Sequence, residues 1–383
     1  MSPSALVIGG TGPTGPGVVS GLLDRGFEVT ILHGGQHEVE LPPEVQHIHT
    51  DPHWPDTLAA GLDRREFDLV IAQYGRLKVT SEVLGRRADR LIAVGGAHGS
   101  LAHPADPRWG PLGRPALPSE NDEHLEQDPA KGTLAVKMAA AERALFEAHE
   151  AGAFDATLLA YPVVYGPRQV APHEWCIVRR ILDGRRRILV ADGAIRMESR
   201  LYTAHAVHAV LLAVDGRAAA SGRKFVVADD EVFTMRQRIE FVAARLGVDV
   251  ELVDMPYALA TPCHPYWRHG SDHRLRSNAR IRAELGYADT TSAAVALGLT
   301  IDWLVEHPPT PGGPEETRLG DPFDYAHEDD LIGRWAAVGR DWRDDAAPFA
   351  PTHAYRHPRR PGEAWSPSRA SAGRQVPATR DEQ

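Results

Sequence analysis

Short apolar-rich runs alternate with amphipathic segments between residues 5 and 305 of the chain. Runs of this length predict strands buried in a parallel sheet, and apolar residues spaced three or four apart predict helices that cover it. The predicted strands span 5–8, 28–32, 45–49, 68–72, 90–94, 156–160, 187–190, 224–227 and 251–253. One predicted helix follows Gly15, and the others span 55–62, 79–87, 132–149, 174–182, 206–214, 235–246, 278–285 and 293–305. This alternation predicts an α/β fold with a doubly wound parallel sheet.

The first predicted strand runs directly into a glycine-rich turn, with glycines at positions 9, 12 and 15. Gly9 can form the tight turn, Gly12 lets the backbone approach a pyrophosphate, and Gly15 lets the following helix pack closely on the strand. The N-terminus of that helix offers free N–H groups and a positive dipole end to phosphates. The turn therefore predicts a Rossmann-type nucleotide-binding domain.

The pattern divides the chain into three parts. Residues 1–165 are predicted to form the nucleotide-binding domain, to which some later segments return, and residues 166–307 a smaller substrate-binding part. Residues 308–383 form a Pro-rich extension, and the last ~20 residues are expected to be disordered because they are polar and rich in proline. Within the first part, the long segment 95–130 has the composition of a loop, and a loop of that length predicts a lid or a binding loop.

The bulk composition excludes several classes of partner. The 383 residues carry a net charge of −10, so nucleic acid and anionic membranes are not expected partners. No apolar run has the length of a membrane span and no signal peptide is recognisable, so a cytoplasmic location is expected. Cys176 and Cys263 have no ligand-like spacing, so neither a disulfide framework nor a metal site is predicted. The expected partner is a small-molecule substrate.

An ordered series of motifs carries a family resemblance. The glycine turn, Asp51, Lys137, the Val-Tyr-Gly-Pro-Arg run at 164–168 and the Ala-Glu-Leu-Gly-Tyr run at 283–287 follow one another in the chain. Together they resemble the extended short-chain dehydrogenases/reductases, the NAD-dependent epimerase/dehydratase group, over roughly residues 4–307. The resemblance implies a Rossmann domain that binds NAD or NADP, a smaller C-terminal part that completes the substrate cleft, and a homodimer.

The resemblance also implies a set of cofactor-binding residues. In particular, the Asp51 carboxylate would contact the adenine amino group, and residues 161–163 would lie near the nicotinamide. Position 33 would choose between NAD and NADP, but a neutral histidine there favours neither, so that choice stays open. The implied cofactor residues are Gly9, Gly12, Pro13, Thr14, Gly15, His33, Asp51, Ala72, Gln73, Gly95, Lys137, Tyr161 and Val163.

The sequence departs from the family at its catalytic positions. The family uses a tyrosine four residues before a lysine, with a serine or threonine after the fifth strand. Here Lys137 is present, but Thr133 replaces the tyrosine and Gly96 stands at the serine position. A threonine hydroxyl is a much weaker acid than a phenol, so Thr133 would at most hydrogen-bond the substrate.

Other residues could supply the missing proton donor. His98 follows the substituted glycines, and Tyr161 and Tyr165 border the expected cleft, as do His173 and His264. A histidine that titrates near neutral pH is a competent general acid or base. A shifted alignment of the helix, with Tyr74 or Tyr165 as the tyrosine, finds no lysine four residues later.

Three further features of the sequence have structural as well as functional interpretations. His205 stands where the family usually has an aspartate before a late helix. Arg185, Arg186 and Arg187 could grip a phosphorylated substrate but are more typical of a solvated turn. The segment 321–325 with Trp335 is typical of an aromatic strap that packs on the core, and it could also cap the cleft.

These observations predict an oxidoreductase or epimerase-type enzyme that uses NAD or NADP on a small hydroxylated or carbonyl substrate through an atypical active site. Two alternatives remain open. The chain could bind a dinucleotide without catalysis, or it could be a lyase or isomerase whose cofactor does not turn over.

Overall fold

The structure is a computed structural model that describes residues 2–35, 38–73, 75–85, 87–97, 117–120, 132–260, 272–338 and 361, with the backbone alone at 132–135. His98, Tyr74 and His264 therefore lie outside the described residues. The chain divides into two units, Met1–Phe323 and Asp324–Gln383. Within the described ranges, every helix is too short or too polar to cross a lipid bilayer.

Seven parallel strands form the central sheet of the first unit. The strand order reverses between the first and the fourth strand of the chain, which are neighbours in the sheet. In open α/β sheets, ligands bind at the carboxyl end of such a reversal. In sheet order the strands are β10 (Arg223–Val226), β6 (Asp155–Tyr161), β5 (Arg90–Gly96), β4 (Leu69–Ala72), β1 (Ser4–Ile8), β2 (Glu28–His33) and β3 (Gln46–His49).

Helices cover both faces of this sheet. The described helices are α1 (Gly15–Leu23), α2 (Pro55–Leu62), α3 (Leu77–Leu84), α4 (Gly132–Glu150), α5 (Trp175–Leu182), α6 (Thr203–Asp215), α7 (Arg217–Ala220), α8 (Met235–Arg245), α9 (Tyr257–Ala260), α10 (Ala279–Leu285), α11 (Ala293–Glu306), α12 (Pro314–Leu319) and, in the second unit, α13 (Tyr325–Val338). The helices α1, α6 and α10 contribute side chains to one core layer, whereas α2, α3 and α4 contribute to the other.

The first strand shows why an apolar run becomes a central strand. Successive side chains of β1 point to opposite faces, so Ala5 and Val7 join the α1 layer while Leu6 and Ile8 join the α2 layer. All four residues are fully buried. Only a strand with helices on both sides needs apolar residues at every position.

Two short parallel ladders lie beside the main sheet. The strand β7 (Val163–Tyr165) pairs with β9 (Arg200–Tyr202), and β8 (Arg187–Ala191) pairs with β11 (Glu251–Met255). The first ladder begins directly after β6, so it continues the chain from the carboxyl edge of the main sheet into residues 166–307.

The predicted fold class is confirmed, since all nine predicted strands are present with shifts of a few residues at their ends. The strand β5 extends beyond the predicted end at 94 to Gly96, because its backbone pairs with β6 up to Tyr161. The helix predicted at 79–87 instead spans Leu77–Leu84, since Gly85 adopts a φ of +44°. The pattern did not predict β7 and β9, which have three residues each.

Candidate functional site

The glycine turn connects β1 to α1 at the carboxyl edge of the sheet. Gly9 has a φ of +89°, which favours glycine, and its N–H donates to the Leu32 carbonyl at 2.8 Å. The Gly12 N–H then donates to the Gly9 carbonyl at 3.2 Å, and α1 begins at Gly15. The turn therefore presents the N-terminus of α1 to the crevice between β1 and β4.

The glycines of this turn differ in how much space a Cβ atom would have. A Cβ at Gly15 would lie 2.0 Å from the Gly10 carbonyl oxygen, and one at Gly10 would lie 2.7 Å from Cγ2 of Ile31. The fold itself excludes both. A Cβ at Gly12 would meet, among the described residues, only the Gly9 carbonyl oxygen at an ordinary 3.6 Å. The open backbone at Gly12 is thus not required by packing, and it fits a bound pyrophosphate that approaches closely.

A side-chain pair joins the glycine turn to the end of β4. The Thr14 hydroxyl donates to Oε1 of Gln73, and the Gln73 backbone N–H donates to the Ile8 carbonyl at 2.9 Å. The Gln73 Nε2 is buried and has no hydrogen-bond partner among the described residues. A buried amide donor without a partner is costly, so its position beside the turn fits a polar ligand group. Ala72, just before it, is buried in the sheet.

The loops after β3 and β4 lie against each other on the far side of the turn. A Cβ at Gly75 would be 3.2 Å from Cβ of Pro52, which shows how closely these loops approach. Asp51 Oδ1 accepts from the His53 backbone N–H at 2.9 Å and contacts His53 Nδ1 at 2.6 Å. The His53 backbone and side-chain hydrogen bonds lower the pKa of Asp51. Asp51 is half-exposed, so it remains ionised and accessible to an incoming donor.

His33 ends β2 beside the glycine turn. Its side chain is almost fully buried, and the Gly35 N–H donates to its Nδ1 at 3.3 Å. Burial lowers the pKa of His33 despite the opposing charge of Glu38, so the imidazole is neutral at neutral pH. A neutral imidazole neither repels nor strongly attracts a 2′-phosphate, and position 33 alone does not choose between NAD and NADP.

The ends of β5 and β6 form the other half of the crevice. Gly95 pairs with Ala160 and Gly96 with Tyr161, and the Ala97 N–H donates to the Tyr161 carbonyl at 2.7 Å. The carbonyl of Ala97 in turn accepts from Nε of Arg276 at 3.1 Å. The segment around residue 276 therefore reaches the carboxyl end of β5. Val163, which opens β7, is half-buried.

The hydroxyl groups of the two candidate tyrosines lie in the protein interior. Tyr161 belongs to the α1-side core, its hydroxyl donates to the Ala206 carbonyl at 3.2 Å, and burial raises its pKa. Tyr165 is completely buried, with the Arg238 guanidinium 5.2 Å from its ring centroid. Burial and then the Asp229 carboxylate raise the pKa of Tyr165. Both environments favour a packing role over proton exchange.

Thr133 and Lys137 lie one turn apart near the start of α4. The backbone of both residues is helical, and the Lys137 side chain is exposed. The i, i+4 spacing puts the two positions on the same face of α4. The structure therefore retains the helix on which the resemblance depends.

Cationic side chains surround the buried carboxylate of Glu198, two residues before β9. The Glu198 carboxylate is 2.7 Å from Nη2 of Arg200 and 3.8 Å from Nη2 of Arg196, and the charges of His173 and Arg274 also act on it. Nδ1 of His173 lies 3.3 Å from Nη1 of Arg200. Burial opposes ionisation of Glu198, but the guanidinium groups lower its pKa to about 2.

His205 forms a hydrogen-bonded link inside the fold. Its Nδ1 lies 2.8 Å from Oδ1 of Asp229, and its Nε2 accepts from the Thr291 N–H at 3.3 Å. The same Asp229 oxygen accepts from the Tyr202 N–H at 2.9 Å. His205 thus joins the start of α6 to the segments after β10 and before α11, which is a structural contact.

The arginine run at 185–187 forms a turn between α5 and β8. Nη1 of Arg186 donates to the Ile181 carbonyl at 3.1 Å, and Nε of Arg187 pairs with Glu251 at 3.2 Å. Asp321, from the predicted strap, forms a bidentate pair with Arg180 of α5 at 2.6 and 3.0 Å. These contacts favour the structural interpretation of both features.

The sequence did not single out the cluster around Glu198. Its members come from positions 173, 196, 198, 200 and 274, so they are brought together only by the folded chain. The one local signal was the alternation of charged residues at 196, 198 and 200 before β9.

The fold is shared with solved sugar-nucleotide enzymes, whereas no family model and no curated protein matches the sequence. One similar structure is UDP-glucose 4-epimerase from Thermotoga maritima with UDP-glucose, with a TM-score of 0.62 and 18% identity over 79% of this chain and 99% of that chain. Another is UDP-glucuronic acid 4-epimerase from Bacillus cereus in complex with UDP-glucuronic acid and NAD, with a TM-score of 0.62 and 16% identity over 79% and 99%. A third is dTDP-glucose 4,6-dehydratase from Bacillus anthracis in complex with NAD, with a TM-score of 0.61 and 13% identity over 80% and 98%. The chain therefore has the fold of NAD-dependent epimerases and dehydratases.

Proposed function

We propose that this protein is an NAD-dependent enzyme of the epimerase/dehydratase type. The observation that carries the proposal is the open backbone at Gly12, where the described residues leave room for a Cβ and a pyrophosphate would take that room. The fold shared with NAD-bound epimerases and dehydratases supports the same cofactor.

The dinucleotide would lie across the carboxyl ends of β1, β2 and β4. The turn from Gly9 to Gly15 would hold the pyrophosphate through backbone N–H groups and the N-terminus of α1. Nε2 of Gln73, which has no hydrogen-bond partner among the described residues, would donate to the ligand beside Thr14, and Asp51 would accept from the adenine amino group. When bound, the nicotinamide supplies a carbon that accepts and returns a hydride.

The reacting end would differ from that of a typical member of this group. Lys137 would hold the nicotinamide ribose from α4, and Thr133 on the same helix face would hydrogen-bond the substrate oxygen. Gly96 offers no hydroxyl at the end of β5. Because the Tyr161 hydroxyl donates to a backbone carbonyl and the Tyr165 hydroxyl is buried, His98 is the candidate that would hold and release the substrate proton.

The substrate of this enzyme would carry a negative charge. The Glu198 cluster does not by itself support this expectation, because Arg196 and Arg200 are almost fully buried and already pair with Glu198. The support is the chemistry of the ligands in similar structures, which carry phosphate or carboxylate groups. UDP-glucuronic acid and UDP-glucose, the ligands in two similar structures, are anions of this class.

Titration of the purified full chain with NAD, NADH, NADP and NADPH tests the cofactor. We expect saturable binding, and we expect Gly12→Ala to weaken it by about tenfold or more, since one methyl group would meet the pyrophosphate. Gly333→Ala is the matched control, because its Cβ also meets open space but lies in α13, outside the first unit. Absence of binding by the wild-type chain would refute the proposed function.

Turnover tests distinguish catalysis from binding alone. Sugar nucleotides and neutral sugars would be incubated with the dinucleotide-loaded protein, and products and nicotinamide absorbance followed together. We expect conversion of an anionic substrate, with strong loss in His98→Ala and Lys137→Ala. Dinucleotide binding with no conversion across the panel would instead favour the non-catalytic alternative, which the absent tyrosine and serine also support.

A further inference from the structure

Three imidazoles and a carboxylate converge at the end of β2 and along β3. Nε2 of His33 lies 3.4 Å from Nδ1 of His47, and Nε2 of His49 lies 3.5 Å from Oε1 of Glu38. Nδ1 of His33 is 3.9 Å from the same Glu38 oxygen. One ligand atom from each of the four residues can be chosen so that all lie within 4.8 Å of one another. We call these four residues the His33 cluster.

Strand register brings the cluster together. His33 is paired with His49 across the β2–β3 ladder, and His47 is two residues before His49 on β3. Residues two apart on a strand point to the same face, so all three imidazoles lie on one face of the sheet while Ile48 points into the core. The arrangement depends on the ladder itself and not on the position of a loop.

Two of the separations match those between the ligands of one small cation, and the others stay within 4.8 Å. Two ligand atoms about 2.0–2.1 Å from a tetrahedral zinc ion lie roughly 3.4 Å apart, which is close to the separations within the His33–His47 and His49–Glu38 pairs. Imidazole nitrogens with a carboxylate oxygen form a donor set suited to zinc and its first-row neighbours, whereas magnesium and calcium prefer oxygen alone.

We infer that His33, His47, His49 and Glu38 form a binding site for a divalent transition-metal cation of the zinc class. His33 is buried and forms the inner wall of the site, while Glu38, His47 and His49 are exposed and leave an entry path for the ion. The bound cation would tie the segment after β2 to the edge strand β3, which otherwise pairs with the sheet on one side only.

Direct contacts among the imidazoles are the competing explanation. Neutral histidines can hydrogen-bond one another, and the rings of His33 and His49 are already in edge contact with centroids 4.6 Å apart. Such a cluster would need no ion. The two explanations differ in one measurable respect, because only a metal site makes tight divalent-cation binding depend on these four side chains.

The test uses the full chain after chelator treatment and dialysis, without any dinucleotide. Co²⁺ is titrated first, because four-coordinate Co²⁺ absorbs strongly in the visible range and six-coordinate Co²⁺ only weakly. Zn²⁺ is then added to displace it, and calorimetry gives the stoichiometry. We expect one tight Zn²⁺ per chain and a visible Co²⁺ band that Zn²⁺ abolishes.

Variants separate this site from the other histidines of the chain. We expect His47→Gln and Glu38→Gln each to weaken Zn²⁺ binding by more than about tenfold, and the double variant His47→Gln/His49→Gln to lose the Co²⁺ band. These positions are exposed, so the variants should fold, as circular dichroism would verify. His307→Gln removes an imidazole that stacks on Trp303, outside the cluster, and is expected to leave Zn²⁺ binding unchanged.

Two outcomes would overturn the inference. One is a wild-type chain with no tight Zn²⁺ binding, and the other is a double variant that binds Zn²⁺ as tightly as the wild type. The experiment does not depend on the proposed enzymatic function, because it involves neither a dinucleotide nor a substrate. A chain that binds Zn²⁺ but no dinucleotide would retain this inference and refute the other.

Discussion

Gly12 and Gly15 belong to one glycine motif, and a side chain at each would meet very different surroundings. Gly15 is required by the fold, because a Cβ there would lie 2.0 Å from the Gly10 carbonyl oxygen, a backbone atom that cannot move independently. Gly12 meets no such obstacle among the described residues. Gly15 therefore contributes to stability, whereas Gly12 is available for ligand binding.

The first prediction concerns stability at this turn. We expect Gly15→Ala to lower the free energy of unfolding by about 3 kcal/mol, because α1 must move away from the turn to relieve the overlap. We expect Gly12→Ala to change it by less than about 1 kcal/mol. Urea denaturation followed by circular dichroism measures both values. Equal losses in the two variants would show that Gly12 is also required by packing.

The second prediction concerns pH dependence and Glu198. Its pKa is about 2 in the folded chain against an ordinary value of 4.5, so folding stabilises the ionised form. This contribution, about 3 kcal/mol, is complete above pH 4.5 and is lost as the pH falls toward 2. Because other carboxyl groups also titrate there, the measurement is the difference between the wild type and Glu198→Gln in urea denaturation from pH 6 to pH 3. The variant should be less stable at pH 6 and lose less stability on acidification, and parallel curves would contradict the assignment.

At the scale of secondary structure, the segment after α12 is attached to α5 by a buried ion pair. Arg180 and Asp321 are both almost fully buried, and the ring of Phe323 lies under the guanidinium groups of Arg179 and Arg180 at 4.4 and 5.2 Å. Glu316 accepts from the indole N–H of Trp175 at 2.8 Å and also pairs with Arg179. The attachment is therefore electrostatic and aromatic together.

The third prediction tests this attachment. We expect Asp321→Ala to lower the free energy of unfolding by about 3–5 kcal/mol, because it removes a buried carboxylate that forms two hydrogen bonds with the buried Arg180 guanidinium. Asp302→Ala is the matched control, since Asp302 forms a similar pair with Arg245 at 2.9 Å but both side chains are largely exposed. The control should lose only a small fraction of that stability. Similar losses in the two variants would contradict the role of burial.

The sequence predicts well those strands whose own residues form an apolar run. Residues 5–8 of β1 are all buried between two helical layers, so an uninterrupted apolar run predicts the strand. The strand β9 contains Arg200 and is three residues long, and it exists because β7 lies beside it. Its hydrogen bonds come from a partner that is distant in sequence, so no local pattern indicates it. The last two residues of β5, Gly95 and Gly96, escaped prediction for the same reason, since backbone pairing with β6 and not a side-chain pattern extends the strand to them.

The features of the candidate site also divide into those formed by consecutive residues and those formed by residues from separate segments. The glycine turn could be predicted because its residues are consecutive and their spacing has a mechanical reason. The Glu198 cluster and the His33 cluster could not, since each depends on tertiary contacts or strand register between separate segments. Tyr161 shows the limit most clearly, because only the packing of α6 on β6 brings the Ala206 carbonyl to its hydroxyl. The roles predicted for Lys137, Thr133 and His98 stay predictions.

At the scale of the whole molecule, the fold persists while the sequence diverges. The chain is only 13–18% identical to similar epimerases and dehydratases. It nevertheless covers 97–99% of their length. What the shared fold requires is the alternation of buried strands and covering helices, which many sequences satisfy. The reacting residues are not part of that requirement. The predicted replacement of the tyrosine by Thr133 and of the serine by Gly96 is therefore compatible with an intact sheet and an intact glycine turn.

The fourth prediction joins the proposed dinucleotide site to the stability of the whole first unit. A ligand present at a hundred times its dissociation constant stabilises the folded state by about 2.7 kcal/mol, which for a unit of this size raises the melting temperature by about 4 °C. We expect this shift for the wild type and for Gly333→Ala with the preferred dinucleotide, and a smaller one at the same concentration for Gly12→Ala. Differential scanning calorimetry measures it, with adenosine alone as a ligand that lacks the pyrophosphate. An equal shift in the Gly12 variant would show that the dinucleotide stabilises the protein from a site other than the glycine turn, because a methyl group at Gly12 can weaken only a ligand that approaches it.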